Sequence, residues 1–140
     1  MSISRADLIT QNQRKIETYS DFHNNMVRHP VSNQLVILRN EDAVRQAFKN
    51  LVYTNVFSRF FNPYFGTNVR KSMFDLDTPF LIDDVRSAIM LSARQFEPRI
   101  NIVHVAVLGY DNNGLDVNIV FRLVNNPNLI ELPLVIKRVR

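Results

Sequence analysis

Few side chains of this 140-residue chain could do chemistry: a handful of carboxylates and three histidines. Hydrolysis of a glycosidic bond needs two carboxyl groups about 5–10 Å apart. Glu97 with Asp111 or Asp116 could form such a pair only if the fold set that spacing. His104 lies inside an apolar run, and His23 and His29 lie in a polar stretch. None stands in a pattern with a nucleophile, so all three read as structural or surface groups. The absence of cysteine removes thiol nucleophiles, Cys-ligated zinc, iron–sulfur clusters and disulfides together, and suits a reducing compartment. There is no glycine-rich phosphate loop, no GxSxG elbow, no HExxH and no paired metal-ligand spacing. These residues argue against an enzyme and call for no cofactor and no metal.

The oddest local choice is Glu97-Pro98-Arg99. A carboxylate at a helix C-terminus meets the negative end of the macrodipole, at a cost of roughly 0.3 kcal/mol or more unless it is paired. Either Glu97 forms an internal ion pair with Arg94 or Arg99, or the three residues make a rigid acid–proline–guanidinium corner held out to a partner. Spacing alone leaves both open.

The elements that must position this corner follow from periodicity. Asn40 is a favourable N-cap before Glu41 and Asp42, and Val44, Ala47, Phe48, Leu51 and Val52 form one helical stripe. Phe57, Phe60, Phe61, Tyr64 and Phe65 make an aromatic turn region expected to pack on itself. Thr67-Asn68 then caps a short helix carrying Val69, Met73 and Phe74. Thr78 and Pro79 open a second amphipathic helix with Ile82, Val85, Ile89, Ala93 and Phe96 inward, and Pro98 stops it. Beyond Pro98 the period changes to two. Residues 100–108 are β-branched and apolar, as in a strand covered on both faces. Asp111-Asn112-Asn113-Gly114 turns the chain into a strand alternating Leu115, Val117, Ile119, Phe121 and Leu123 inward. A third run, Leu134-Val135-Ile136, follows Pro133, which favours an edge position or a tail. Gln34–Leu38 is a further short strand. Helices first and a meander last give an α+β fold, with helices packed on a C-terminal antiparallel sheet. At about 100–200 residues per domain the length suits one domain. Polar residues 1–18 read as an N-terminal arm, and 19–140 as the single domain.

Seventeen Lys and Arg against thirteen Asp and Glu leave a net charge of +4. The tail Lys137-Arg138-Val139-Arg140 and scattered Arg39, Arg45 and Arg70 read as a solvated basic surface, because no aromatic–basic sheet face or basic recognition helix accompanies them. The thirteen arginines against four lysines suit protein interfaces with planar, bidentate pairing. No stretch approaches the about 20 apolar residues that span a bilayer. Protein partners are therefore expected, without nucleic acid or membrane.

Taken in order, several segments resemble the GPW-type baseplate wedge subunits of contractile-tailed phages, whose relatives include TssE of the type VI secretion baseplate. They are Tyr19-Ser20-Asp21-Phe22, the helix from Glu41 to Val52, Phe61-Asn62-Pro63-Tyr64-Phe65-Gly66-Thr67-Asn68-Val69, Phe74-Asp75 and above all Phe96-Glu97-Pro98-Arg99. The resemblance runs from about residue 19 to 124. It implies a structural virion protein, present in multiple copies in the tail baseplate and assembled in the host cytoplasm. Its partners would be the helical core bundle of the wedge and the tail sheath protein, with Glu97, Pro98 and Arg99 at the wedge contact. Sheath assembly would start by strand addition beside the hairpin of residues 100–109 and 115–124. Tyr64 departs from the family pattern, which favours an acid there. Some members carry a lysozyme label, so the alternative is a tail-associated cell-wall hydrolase.

Overall fold

A computed structural model describes residues 19–73, 80–111 and 114–137. Outside these lie residues 1–18 read as an arm, Phe74-Asp75, the expected helix start at Thr78-Pro79, the expected turn residues Asn112-Asn113 and residues 138–140. The described elements, in chain order, are β1 (Ser20–Phe22), β2 (Ile37–Arg39), α1 (Glu41–Tyr53), α2 (Val69–Ser72), α3 (Leu81–Phe96), β3 (Ile100–Asp111), β4 (Gly114–Leu123) and β5 (Asn126–Lys137). The α+β expectation stands: β3, β4 and β5 form an antiparallel meander in that order, and β1 and β2 pair separately.

The core lies between one face of the meander and the helices. Leu115, Val117, Ile119, Phe121 and Leu123 all point inward from β4, as their alternation requires. From β5 come Ile130, Leu132, Leu134 and Ile136. Phe48 of α1 meets Phe121 edge to face, with ring centroids 5.6 Å apart. The α1 stripe holds with Ala43 added and Ala47 only half-buried.

Ile82 corrects the second stripe. It is 42% exposed, and Leu81, at 7%, takes its place in a row of Leu81, Val85, Ile89 and Ala93 spaced by four. Phe96 is half-buried against the same core. Leu81→Ala should therefore cost about 2–3 kcal/mol, and Ile82→Ala less than about 1 kcal/mol. Urea unfolding of the two variants checks this, and equal losses would show that Ile82 packs inward.

Strand β3 is not covered on both faces. Asn101, Val103, His104 and Leu108 are exposed while Val105 is buried. Its near-continuous apolar run has another cause: the register shifts between Ile102 and His104 and again between Val107 and Gly109, so Val103 and Leu108 are extra residues at bulges. Each insertion resets the period of two and sets apolar residues side by side in sequence. Strand β5 is also longer than Leu134-Val135-Ile136, and Pro133 sits opposite Asn118 on an edge strand, as a residue without an N–H should. Pairing of Asp111 with Gly114 agrees with the expected hairpin. The expected strand at Gln34–Leu38 is realised as β2, with an isolated bridge between Arg28 and Leu35 before it.

Two caps behave differently from their sequence reading. Asn40 occupies the N-cap at φ 47°, and its carbonyl accepts the first helical bond from Val44. Its side chain makes no capping bond; Oδ1 instead accepts from the Tyr19 N–H at 3.5 Å. Asn68 precedes α2 likewise without a side-chain cap, while the Thr67 hydroxyl donates to the buried Val52 carbonyl at 2.7 Å. Asn40 and Thr67 thus tie distant segments together, a use that local propensity does not encode.

Candidate functional site

Pro98 ends α3 at Phe96, and Glu97 follows as the C-cap, its N–H still donating to Ala93 at 2.9 Å. The next bonds fasten the corner to the sheet. Ile100 donates to the Glu97 carbonyl at 3.3 Å, and Val124 donates to the Arg99 carbonyl at 3.0 Å. The corner therefore sits where α3, the start of β3 and the end of β4 meet.

Glu97 is buried at 6% exposure. Its carboxylate receives a two-pronged contact from Arg99, Nε to Oε1 at 2.5 Å and Nη2 to Oε2 at 2.7 Å. This fork offsets both the helix dipole and the desolvation of the carboxylate. Of the two internal partners open to sequence reading, Arg99 is the one observed. The hydrogen bond with Glu97 raises the pKa of the guanidinium from its ordinary value, against a desolvation effect that lowers it; the Glu97 charge raises it further. A group whose pKa is raised on folding contributes stability below its unfolded value, and loses it only as pH climbs through the folded one. The Arg99 guanidinium thus keeps its charge at every ordinary pH.

The guanidinium is enclosed from another side by Tyr19, whose ring centroid lies 5.3 Å away. Tyr19 is held in turn: its carbonyl accepts from the Asn40 N–H at 2.7 Å, and its hydroxyl accepts from Asn125 at 3.4 Å. Nearby, Asn126 donates to Glu41 at 2.7 Å and links the β4–β5 turn to α1. Sequence reading missed Tyr19 as part of the corner because it lies 80 positions from Arg99. What faces outward is the exposed Pro98 and the part of Arg99 beyond the fork, the side chain being 35% open.

Of the carboxylate pairs named for hydrolysis, the fold does not bring Glu97 and Asp116 together. Glu97 lies just before Ile100, which pairs with Leu123, whereas Asp116 is seven residues along β4 at the other end of the hairpin. At about 3.4 Å per residue that is roughly 24 Å of strand. The Asp111 side chain lies outside the description. A cleft of about 490 Å³ between α1 and β5 is lined by one acid, Asp42, and the clefts beside β3 and the β4–β5 turn are lined by none. The histidines make local contacts or face solvent: His23 Nδ1 accepts from Asn25, His29 Nδ1 accepts from Val31 and Ser32, and His104 is exposed on β3. No group of three potential metal ligands occurs among the described residues.

Comparison with known proteins places this geometry. The chain is 33% identical over 90 residues to baseplate wedge protein gp25 of Enterobacteria phage T4, which covers 64% of this chain and 68% of that protein. Three solved structures share the fold at low identity. A candidate tail lysozyme of Geobacter sulfurreducens has a TM-score of 0.67 at 16% identity, covering 75% of this chain and 97% of that one. A chain of the anti-feeding prophage baseplate has a TM-score of 0.59 at 16% identity over 84% of each. A chain of the post-contraction pyocin R2 baseplate has a TM-score of 0.55 at 20% identity, covering 69% and 96%. Residues 38–128, which run from the end of β2 through all of α1 to the start of β5 and include Glu97, Pro98 and Arg99, match the family model of baseplate wedge protein gp25, and the chain belongs to that family.

Proposed function

We propose that this chain is a structural subunit of a contractile-tail baseplate wedge, present in several copies in the virion. It docks on the helical core of the wedge through Glu97, Pro98 and Arg99, and starts the sheath by offering a strand edge. The observation that carries the docking reading is the corner itself: a guanidinium held by a buried carboxylate and an aromatic ring stays part-exposed beside an exposed, rigid proline. Preorganisation of this kind lowers the entropic cost of binding.

For strand addition, the two free edges of the meander differ. On β5, Pro127 and Pro133 lack donors and the Tyr53 hydroxyl occupies the Val135 carbonyl at 3.0 Å. On β3 no proline interrupts residues 100–111, and Arg86 Nε reaches the Val105 carbonyl at 3.2 Å where α3 crosses. The β3 edge, with every donor present, is thus the better template for main-chain pairing with a sheath strand, in the segment between its bulges at Val103 and Leu108. The hydrolase alternative draws on a fold likeness to one candidate tail lysozyme, and the separation of Glu97 from Asp116 speaks against it.

The test must separate docking from stability, because Arg99→Ala strands a buried carboxylate and should cost about 3 kcal/mol. Arg99→Lys keeps a charge on Glu97 but loses the fork. With wedge and sheath proteins from the same tail cluster co-expressed, Arg99→Lys should stay folded at working temperature, and its incorporation into wedges should fall at least tenfold. Wild-type incorporation by Arg99→Lys would sink the corner reading.

A further inference from the structure

The segment from Thr54 to Met73 is built unlike the rest of the surface. Phe57, Phe60, Phe61 and Tyr64 are exposed at 74%, 100%, 105% and 68%. The expectation that this aromatic region packs on itself therefore holds only in part, through Phe57 beside Tyr64 at 6.0 Å, while Phe65 packs on Phe96 of α3 at 5.3 Å. The loop is nonetheless closed by its own bonds. Phe57 donates to Pro63 at 2.6 Å, Ser58 to Asn55 at 3.1 Å, Phe65 to Asn62 at 3.2 Å and Thr67 to Thr54 at 2.8 Å. Phe57 is held at φ 69°, an uncommon conformation for a bulky residue, of the kind that clusters at binding sites.

Between Thr54 and Met73 there is no acid, and there are three cations, Arg59, Arg70 and Lys71. Two of these are pinned. The Arg59 guanidinium stacks 4.0 Å from the centre of the Phe65 ring, and that of Arg70 lies 5.6 Å from the centre of Tyr53. Arg70 Nε is also buried without an acceptor. Fixed planar guanidiniums match the fixed carboxylates of a folded partner, a geometric match that mobile lipid headgroups do not hold in place.

We propose that this loop is a second docking element, separate from the Glu97–Arg99 corner. Phe60 and Phe61 insert into an apolar socket on a partner protein whose rim is acidic, and Arg59 and Lys71 pair with that rim. Fully exposed Phe residues on a preorganised loop have the character of interface anchors, which supply most of the binding energy when desolvated.

The experiment uses the full chain as wild type, Phe60→Ser/Phe61→Ser, Lys71→Glu and Arg99→Lys, each co-expressed with the structural proteins of its own tail cluster. Because both Phe side chains face solvent, the double variant should melt as wild type does. Its association with one of those proteins should fall at least tenfold, Lys71→Glu should weaken the same pairing, and wild-type association should decline between about 0.1 and 0.5 M salt. Unchanged association of the double variant overturns the proposal, and if Arg99→Lys loses incorporation in that same experiment the corner reading survives alone. Two other results also overturn it: Phe-dependent binding to phosphatidylglycerol vesicles without protein association, and a wild-type homodimer that the double variant dissolves.

Discussion

Phe121→Ala is expected to lower the unfolding free energy by about 4 kcal/mol, the largest loss of any single truncation considered. The ring is fully buried at the centre of β4, the middle strand of the meander, and receives Phe48 edge to face. Removing it takes away buried apolar area and the aromatic pair, and opens a cavity that the neighbouring strands cannot close without breaking register with both Ile102 and Ile130. Chemical denaturation would show a lower midpoint with an unchanged slope. A loss below about 1.5 kcal/mol would mean that α1 can settle onto the sheet and that the core is less tightly keyed than the contacts imply.

Gly66→Ala should cost about 3 kcal/mol or more, with its effect spreading to the aromatic loop. Gly66 has φ 122°, a region that side chains rarely enter, and a Cβ there would lie 2.4 Å from the Thr54 carbonyl oxygen. That oxygen accepts the Thr67 N–H at 2.8 Å, and the Gly66 carbonyl accepts from Ser92 of α3 at 2.9 Å. The glycine thus closes the neck of the loop against α1 and α3. Relief of the clash would break one of these bonds and free Phe60 and Phe61 to move. Thermal melting together with hydrogen exchange at residues 57–67 checks both parts; a stable variant with an unaltered loop would show that the backbone absorbs the methyl group at little cost.

The sheet was the most legible part of the chain, and its limits are instructive. The strict alternation of β4 named its inward face residue by residue, because a period of two follows from the pleat alone. On β3 the reading of a strand covered on both faces failed, since bulges at Val103 and Leu108 set apolar residues side by side without burying both faces. The Ile82 error has a related origin: either Leu81 or Ile82 completes a helical stripe, and only docking of α3 on the sheet selects Leu81. The exposure of Phe60 and Phe61 ran against their hydrophobicity, because the loop is closed by backbone bonds that composition does not display.

By itself the sequence determined the α+β class, the helix stop at Pro98, the inward set of β4 and the ordered motifs of the wedge family. All of these rest on local periodicity, fixed backbone angles or residue order. Tertiary structure alone decided which partner Glu97 takes and what encloses that pair. The choice of Arg99 over Arg94 depends on how the chain bends after Pro98, and Tyr19 reaches the guanidinium only because Asn40 ties β1 to the start of α1. Contacts between residues 80 positions apart have no local signature. They arise when separate elements bury their apolar faces on one sheet, and the polar groups brought together at the seam must then satisfy each other.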